Sequence, residues 1–367
     1  MKSAKKGRAR VPEVAEKLGV VHEREGHELA VGSVQTALPD KAEDGTEQYT
    51  PARFGYLRVG RDSRPVPYNC SCVMPVTLDS ILARTRHCLS QRRQSIDLRA
   101  LEQAAERHTP RGFRKSIQRV SQDGIAVIAE LKKASPSKGL IRADFDPAAL
   151  ARELEQAGAA ALSVLTDEQF FQGSLGYLRQ ASAATSLPCL RKDFIVDELQ
   201  IVEARANCAD AVLLIVAALN QKELLALSHC ARAHHLDVLC EAHDEQELKR
   251  AIDAGCDLIG INNRDLRTFE VKLETALQLA DKIPAGCLRI AESGIHNSAD
   301  IASLRAAGYK AFLIGESLMK ASKPGEALTK LLEESTQEVA ASKQEGFSSR
   351  QVGSSSRLEA RSSKLSL

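Results

Sequence analysis

From Ile125 onward the chain repeats one rhythm, a short β-rich apolar run followed by a helical segment, and it does so eight times. The runs lie at 125–131, 160–165, 187–190, 210–216, 236–240, 257–261, 288–291 and 310–314. The segments between them carry helix signals of their own. Asp146 precedes Pro147 as N-cap and first helical residue, and Asn220 with Glu223 and Asp244 with Glu247 stand at capping-box spacing. Glycine follows alanine at Gly158, Gly255 and Gly308, where it supplies a left-handed cap just before the next strand. Eight consecutive units over roughly 210 residues predict a (β/α)8 TIM barrel of ordinary size. The structural alternative, a doubly wound open sheet, would carry a Gly-rich phosphate turn after its first strand, and none is present.

The barrel does not account for all 367 residues. Residues 1–76 are polar, contain Pro51, Pro65, Pro67 and Pro75, and read as an extension with little structure of its own. From Leu78 to about His108 the residues Leu78, Ile81, Leu82, Leu89, Leu98, Leu101 and Ala105 recur at helical spacing, which predicts one or two additional N-terminal helices covering the barrel. The intervening Arg84, Arg86, Arg92 and Arg93 read as a solvated face. The barrel with these helices spans 77–338, and the Ser/Lys/Arg-rich tail over 339–367 reads as disordered.

Composition removes several classes of function. Lys plus Arg number 50 against 48 Asp plus Glu, a net charge of +2, so there is no global electrostatic demand for nucleic acid or an anionic membrane. No apolar run approaches the roughly 18 residues of a membrane span. Nine scattered cysteines without a CxxC read as free thiols in a reducing compartment, and Cys70 with Cys72 as a loop with two thiols. The acidic residues Glu13, Glu16, Glu23 and Glu25 make residues 1–76 a poor transit peptide, so a cytoplasmic and a plastid location both stay open.

Function must therefore come from a site, and a barrel builds its site at the carboxyl ends of its strands. The segment IAVIAELKKASPSKG shows this most sharply, since a buried strand runs into Glu130 and Lys132 and then into Ser135 and Pro136. Burying such charges unpaired costs several kcal/mol, so they belong at a strand end facing a polar cavity. The other ends supply Lys192 and Phe194, Glu241, Asn262 and Arg264, Glu292 with Ser293 and Gly294, and Gly315 with Glu316. By parity Glu130 shares a face with Lys132, Lys192 with Phe194, and Asn262 with Arg264. Taken singly each has a structural reading, Lys192 and Glu241 as an ion pair or Arg264 as a helix cap. Their agreement at six strand ends favours a site. The glycines at the last two ends let backbone N–H groups approach a ligand, so a phosphorylated small molecule is expected there. His243 has no second histidine at ligand spacing, so no metal is expected.

The motifs AELKKASPSKG, LSVLTDEQFFQGS, LRKDFI, LLIVAAL, IGINNRDL, AESGI and FLIGESLM resemble, in order, those of the indole-3-glycerol phosphate synthases of tryptophan biosynthesis. The resemblance runs from about Leu78 to Leu332. It implies a cofactor-independent lyase that closes and decarboxylates 1-(2-carboxyphenylamino)-1-deoxyribulose 5-phosphate to indole-3-glycerol phosphate. It also implies Lys192 as general acid and Glu241 as base, with Glu130, Lys132 and Asn262 completing the polar cluster. Ser135, Pro136, Phe171, Phe194 and Arg264 would hold the anthranilate side, with Glu292 also binding substrate. Ser293, Gly294, Gly315 and Glu316 would hold the phosphate, with Lys132 nearby. Association with other enzymes of the pathway is compatible with it. A phosphoribosylanthranilate isomerase-like barrel and an inactive scaffold are the competing readings. The SPSKG loop and the Lys192 motif argue against the first, and the convergence of so many polar groups against the second.

Overall fold

Eight short parallel strands close on one another to form the centre of the molecule: β1 Ala126–Leu131, β2 Ala161–Leu165, β3 Cys189–Lys192, β4 Ala211–Ile215, β5 Asp237–Ala242, β6 Leu258–Asn262, β7 Leu288–Glu292 and β8 Ala311–Ile314. Each pairs with the next, and β8 returns to β1 with Phe312 opposite Val127. The computed structural model describes residues 56–57, 66–67 and 76–338. The extension over 1–76 and the tail over 339–367 thus lie largely outside the described residues, as do Cys70 and Cys72. A two-residue antiparallel pairing of Tyr56–Leu57 with Val66–Pro67 belongs to a unit ending at Val73, separate from the one that contains the barrel.

Helices fill the intervals as the capping residues foretold. Asp146 accepts the N–H groups of Ala148 and Ala149 ahead of Pro147, and Asn220 and Glu223 form a complete capping box. Gly158, Gly255 and Gly308 take φ of 93°, 71° and 94°. The second box is only half built: Asp244 caps Glu247, but the Glu247 carboxylate turns to His243 instead. A helix over 324–338 closes the ring of helices. Among the described residues no helix is long and apolar enough to cross a membrane.

Three helices precede the barrel: α1 Leu78–Arg92, α2 Leu98–Glu106 and α3 Phe113–Asp123. Ile81, Leu82 and Leu89 of α1 are buried as expected, whereas Leu98 is 54% exposed and α2 packs chiefly through Ala105. The third helix has no counterpart in the sequence reading. Its N-cap is Gly112, which makes no side-chain cap, and only the fully buried Phe113 and Ile117 betray its inner face. The arginines of α1 also depart from expectation. Arg84 donates to Gln169 at 2.8 Å, Arg86 pairs with Glu223 at 3.4 Å, Arg93 pairs with Asp197 at 2.6 Å, and Arg92 pairs with the buried Glu203. They fasten α1 to the helical shell, because their partners lie on the following helices and at their starts.

A latch between the barrel and the α2–α3 linker sits just before β4. Asp210, fully buried, accepts Arg111 Nη2 and the Cys189 N–H at 2.6 Å each through Oδ2. Its Oδ1 accepts the Arg111 backbone N–H at 2.6 Å and faces His108 Nε2 at 3.2 Å. The cysteines bring a second correction, since Cys240 and Cys256 are joined in a disulfide while the other five described cysteines are free. Cys240 lies on β5 and Cys256 just ahead of β6; the predicted barrel makes these strands neighbours, but the sequence does not give the register that brings the two sulfurs together.

Burial works to raise the Asp210 pKa, but the hydrogen bonds from His108 and Arg111 outweigh it and hold the carboxyl below its ordinary range. Stability from this latch is complete above the unfolded carboxylate pKa and is lost as pH falls through the folded value. Asp210→Ala should therefore cost about 3 kcal/mol at neutral pH, the lower end of what breaking a buried ion pair removes. In urea unfolding the gap from the wild type should narrow on acidification; equal stability at neutral pH would show that the latch contributes nothing.

Candidate active site

Alternation along each strand sends every second side chain inward, and the barrel register places the inward polar ones at one level. Asn262 lies opposite Glu292, Glu241 opposite Gly260, and Lys192 opposite Leu165. Above the apolar layer formed by Ile128, Leu190, Leu239 and Ile290, the groups Glu130, Lys192, Glu241, Asn262 and Glu292 meet at the floor of a cavity of about 310 Å³. A smaller cavity of about 80 Å³ adjoins it, walled by Ser135, Pro136, Phe171, Phe194 and Arg264. Every site residue read from the sequence lines one of these two cavities, and Lys132, Phe171, Phe194, Arg264 and Glu316 line both.

The charges on the floor are closely matched. Lys192 Nζ stands 3.0 Å from Glu241 Oε2 and 3.8 Å from Glu292 Oε2, and Lys132 Nζ stands 2.5 Å from Glu130 Oε2. Burial alone would lower the Lys192 pKa, but Glu241, then Glu292 and Glu130, reverse the effect and keep the ammonium charged. Burial likewise favours the neutral form of Glu241, and Lys192 and His243 overcome it, so this carboxylate is held ionised. Glu292 has no such support: neither oxygen has a hydrogen-bond partner, and burial followed by the Glu241 charge pushes it up to about 8.

Asn262 accepts the Arg264 backbone N–H at 3.0 Å, while the Arg264 guanidinium reaches the Phe269 carbonyl at 3.3 Å and Glu316 at 3.5 Å. The rings of Phe171 and Phe194 stand 6.2 Å apart at an interplanar angle of 40°. At the end of β7 the backbone turns through two successive left-handed residues, Ser293 at φ 63° and Gly294 at φ 75°. A Cβ on Gly294 would run into Val271, and one on Gly315 would collide with the Glu130 carboxylate. Both positions admit only glycine, which keeps their backbone close to whatever occupies the cavity.

Sequence reasoning missed several contributors. Leu78 and Ile81 of α1 join Leu266 and Phe269 in the wall of the smaller cavity. The α1 periodicity had marked the first two as apolar, but not which surface they cover. Asp167, which caps the helix Glu168–Phe171 through the Phe170 and Phe171 N–H groups, lines the main cavity with its pKa raised to about 6, chiefly by burial. His243 stands 3.4 Å from Glu241 and 2.9 Å from Glu247; no spacing rule flags a lone histidine.

Comparison with known proteins adds an independent line. A family model described as indole-3-glycerol phosphate synthase matches residues 78–331. A protein of that name from Koribacter versatilis is 58% identical over 259 residues, covering 71% of this chain and 100% of the relative. Another from Polaromonas sp. is 49% identical over 256 residues, covering 69% of this chain and 97% of the relative.

The charge balance on the cavity floor is testable without substrate. A carboxyl whose folded pKa is raised favours the folded state below its unfolded pKa and loses that advantage as pH rises through the folded value. Glu292→Gln should consequently gain stability relative to the wild type between about pH 4.5 and 8. Infrared difference spectra at neutral pH should show a protonated carboxyl in the wild type that the variant lacks; identical spectra would contradict the assignment.

Proposed function

The chain belongs to the indole-3-glycerol phosphate synthase family, and from that premise we propose how its residues divide the reaction. The enzyme is a lyase of tryptophan biosynthesis that converts 1-(2-carboxyphenylamino)-1-deoxyribulose 5-phosphate to indole-3-glycerol phosphate with loss of carbon dioxide and water. The observation that carries the division is Lys192: a charged ammonium facing three buried carboxylates on the floor of the larger cavity, which the aromatic one adjoins.

The substrate brings an aryl carboxylate, a keto group and a phosphate, and each needs a different partner. The anthranilate ring enters the smaller cavity between Phe171 and Phe194, against Pro136, with Ser135 and Arg264 at the carboxylate. As the aryl carbon attacks the ketone, negative charge develops on the carbonyl oxygen, and Lys192 donates its proton there. Loss of carbon dioxide then restores the aromatic ring, and in the dehydration that completes the indole the new hydroxyl leaves as water while the adjacent carbon gives up a proton. Glu241, held ionised, takes the proton released in that step. Glu292, neutral at physiological pH, donates a hydrogen bond to a substrate hydroxyl, while Glu130, Lys132 and Asn262 fix the sugar chain.

The phosphate sits on the backbone N–H groups of Ser293, Gly294, Gly315 and Glu316, with Lys132 supplying a positive charge. Support comes from the two glycine positions, where a side chain would displace either Val271 or Glu130. All of this chemistry lies between Leu78 and Glu316, so we assign activity to residues 77–338 alone. A cytoplasmic setting and association with neighbouring enzymes of the pathway follow as proposals from family membership.

Lys192→Met should lower kcat by roughly 10²- to 10⁴-fold, the contribution of a positioned proton donor. Arg264→Ala should act mainly on KM, because it removes a binding contact and not the acid. Both are read from the fluorescence of the indole product; near-normal turnover in Lys192→Met would remove it from the mechanism.

A further inference from the structure

His243 has no task in the reaction as divided above, yet its ring is held at both nitrogens. Nδ1 stands 2.9 Å from Glu247 Oε2, and Nε2 stands 3.4 Å from Glu241 Oε1, the separation of an ion pair and not of a hydrogen bond. Glu247 is oriented in turn. Its Oε2 also accepts the His243 backbone N–H at 2.9 Å, and its own N–H donates to Asp244 at 2.8 Å. The result is an unbroken row running from Lys192 through Glu241 and His243 to Glu247, in which cation and anion alternate when the ring is protonated.

Resting on the assignment of Glu241 as base, we propose that His243 is a positioning residue for the reaction. It acts as an imidazolium shared by Glu241 and Glu247, which orients the Glu241 carboxylate and keeps it ionised. Glu241 is then gripped from both sides, Oε2 by Lys192 and Oε1 by His243. A histidine serving only the start of the helix Glu245–Asp253 would need Glu247 alone, and nothing would require Nε2 to face the active site. Burial opposes the charged ring, but contacts with Glu241 and Glu247 outweigh it and raise the pKa to about 10.

The other groups around the ring do not reverse this. His243 also borders a separate polar cavity of about 520 Å³, with Asp79 of α1 and with Asp265, Arg267, Glu270 and Lys272 of the loop after β6. With Asp244, which lines it too, four acids against two bases leave a net negative surround, which again favours the imidazolium.

The test follows Glu241→Gln, His243→Asn and Glu247→Gln together, each with kcat, KM and a thermal melt. The His243 ring is titrated by carbon-edited NMR in the wild type and in Glu247→Gln. The wild-type ring should stay cationic beyond about pH 8, whereas an unperturbed histidine has lost its charge by then. His243→Asn should lower kcat about tenfold or more, the ratio that one pKa unit represents, with KM little changed. Glu247→Gln should move the ring's titration toward its ordinary range and lower kcat less.

A wild-type ring that titrates near its unperturbed value, or His243→Asn with full turnover, overturns the proposal and leaves Glu241 in its role. Full turnover in Glu241→Gln instead overturns the premise. If His243→Asn does not fold, the two titrations still decide the charge of the ring.

Discussion

Three buried carboxylates, Glu130, Glu241 and Glu292, share two ammonium groups at the mouth of the barrel. That imbalance governs the rest of the site. Lys132 serves Glu130 and Lys192 serves Glu241, which leaves Glu292 with an oxygen 3.8 Å from an ammonium already engaged. A buried anion without a partner takes up a proton in preference to paying its desolvation. One carboxyl is thereby held neutral while Glu241, 3.0 Å from the common lysine, is held ionised. Two side chains of identical chemistry acquire opposite charge states from position alone.

The three leading helices share in this arrangement. The latch of Asp210 with Arg111 and His108 grips the linker at the amino-terminal side of the barrel, far along the strands from the charged floor. At the opposite side α1 lays Leu78 and Ile81 into the wall of the aromatic cavity. Stability and recognition are therefore divided between the two ends of one added segment, which repeats on a smaller scale the division between the two faces of the barrel itself.

Much of this was legible in the sequence, and the parts that were not share a cause. The eight apolar runs match the strands to within two residues at either end, because a strand buried on both faces leaves an uninterrupted apolar signature. The polar residues closing those runs converge because closure of a barrel leaves them nowhere else to point. Helix α3 escaped notice, since FRKSIQRVSQD shows too few apolar residues and no capping side chain. The arginines of α1, the Cys240–Cys256 pair and His243 escaped for a different reason. Each depends on which segments meet and in what register, as Arg93 does on Asp197 and Cys240 on Cys256, and periodicity carries no such information.

Helix α1 forms one wall of the aromatic cavity, yet two of the three arginine ion pairs that fasten it, Arg86–Glu223 and Arg93–Asp197, are open to solvent on both sides. Exposed ion pairs weaken as mobile ions screen them, over a distance of about 8 to 10 Å at ordinary ionic strength, whereas the paired charges on the barrel floor are shielded by burial. Ionic strength thus acts selectively on this enzyme. It loosens one wall of the aromatic cavity and leaves the charge balance on the barrel floor as it was.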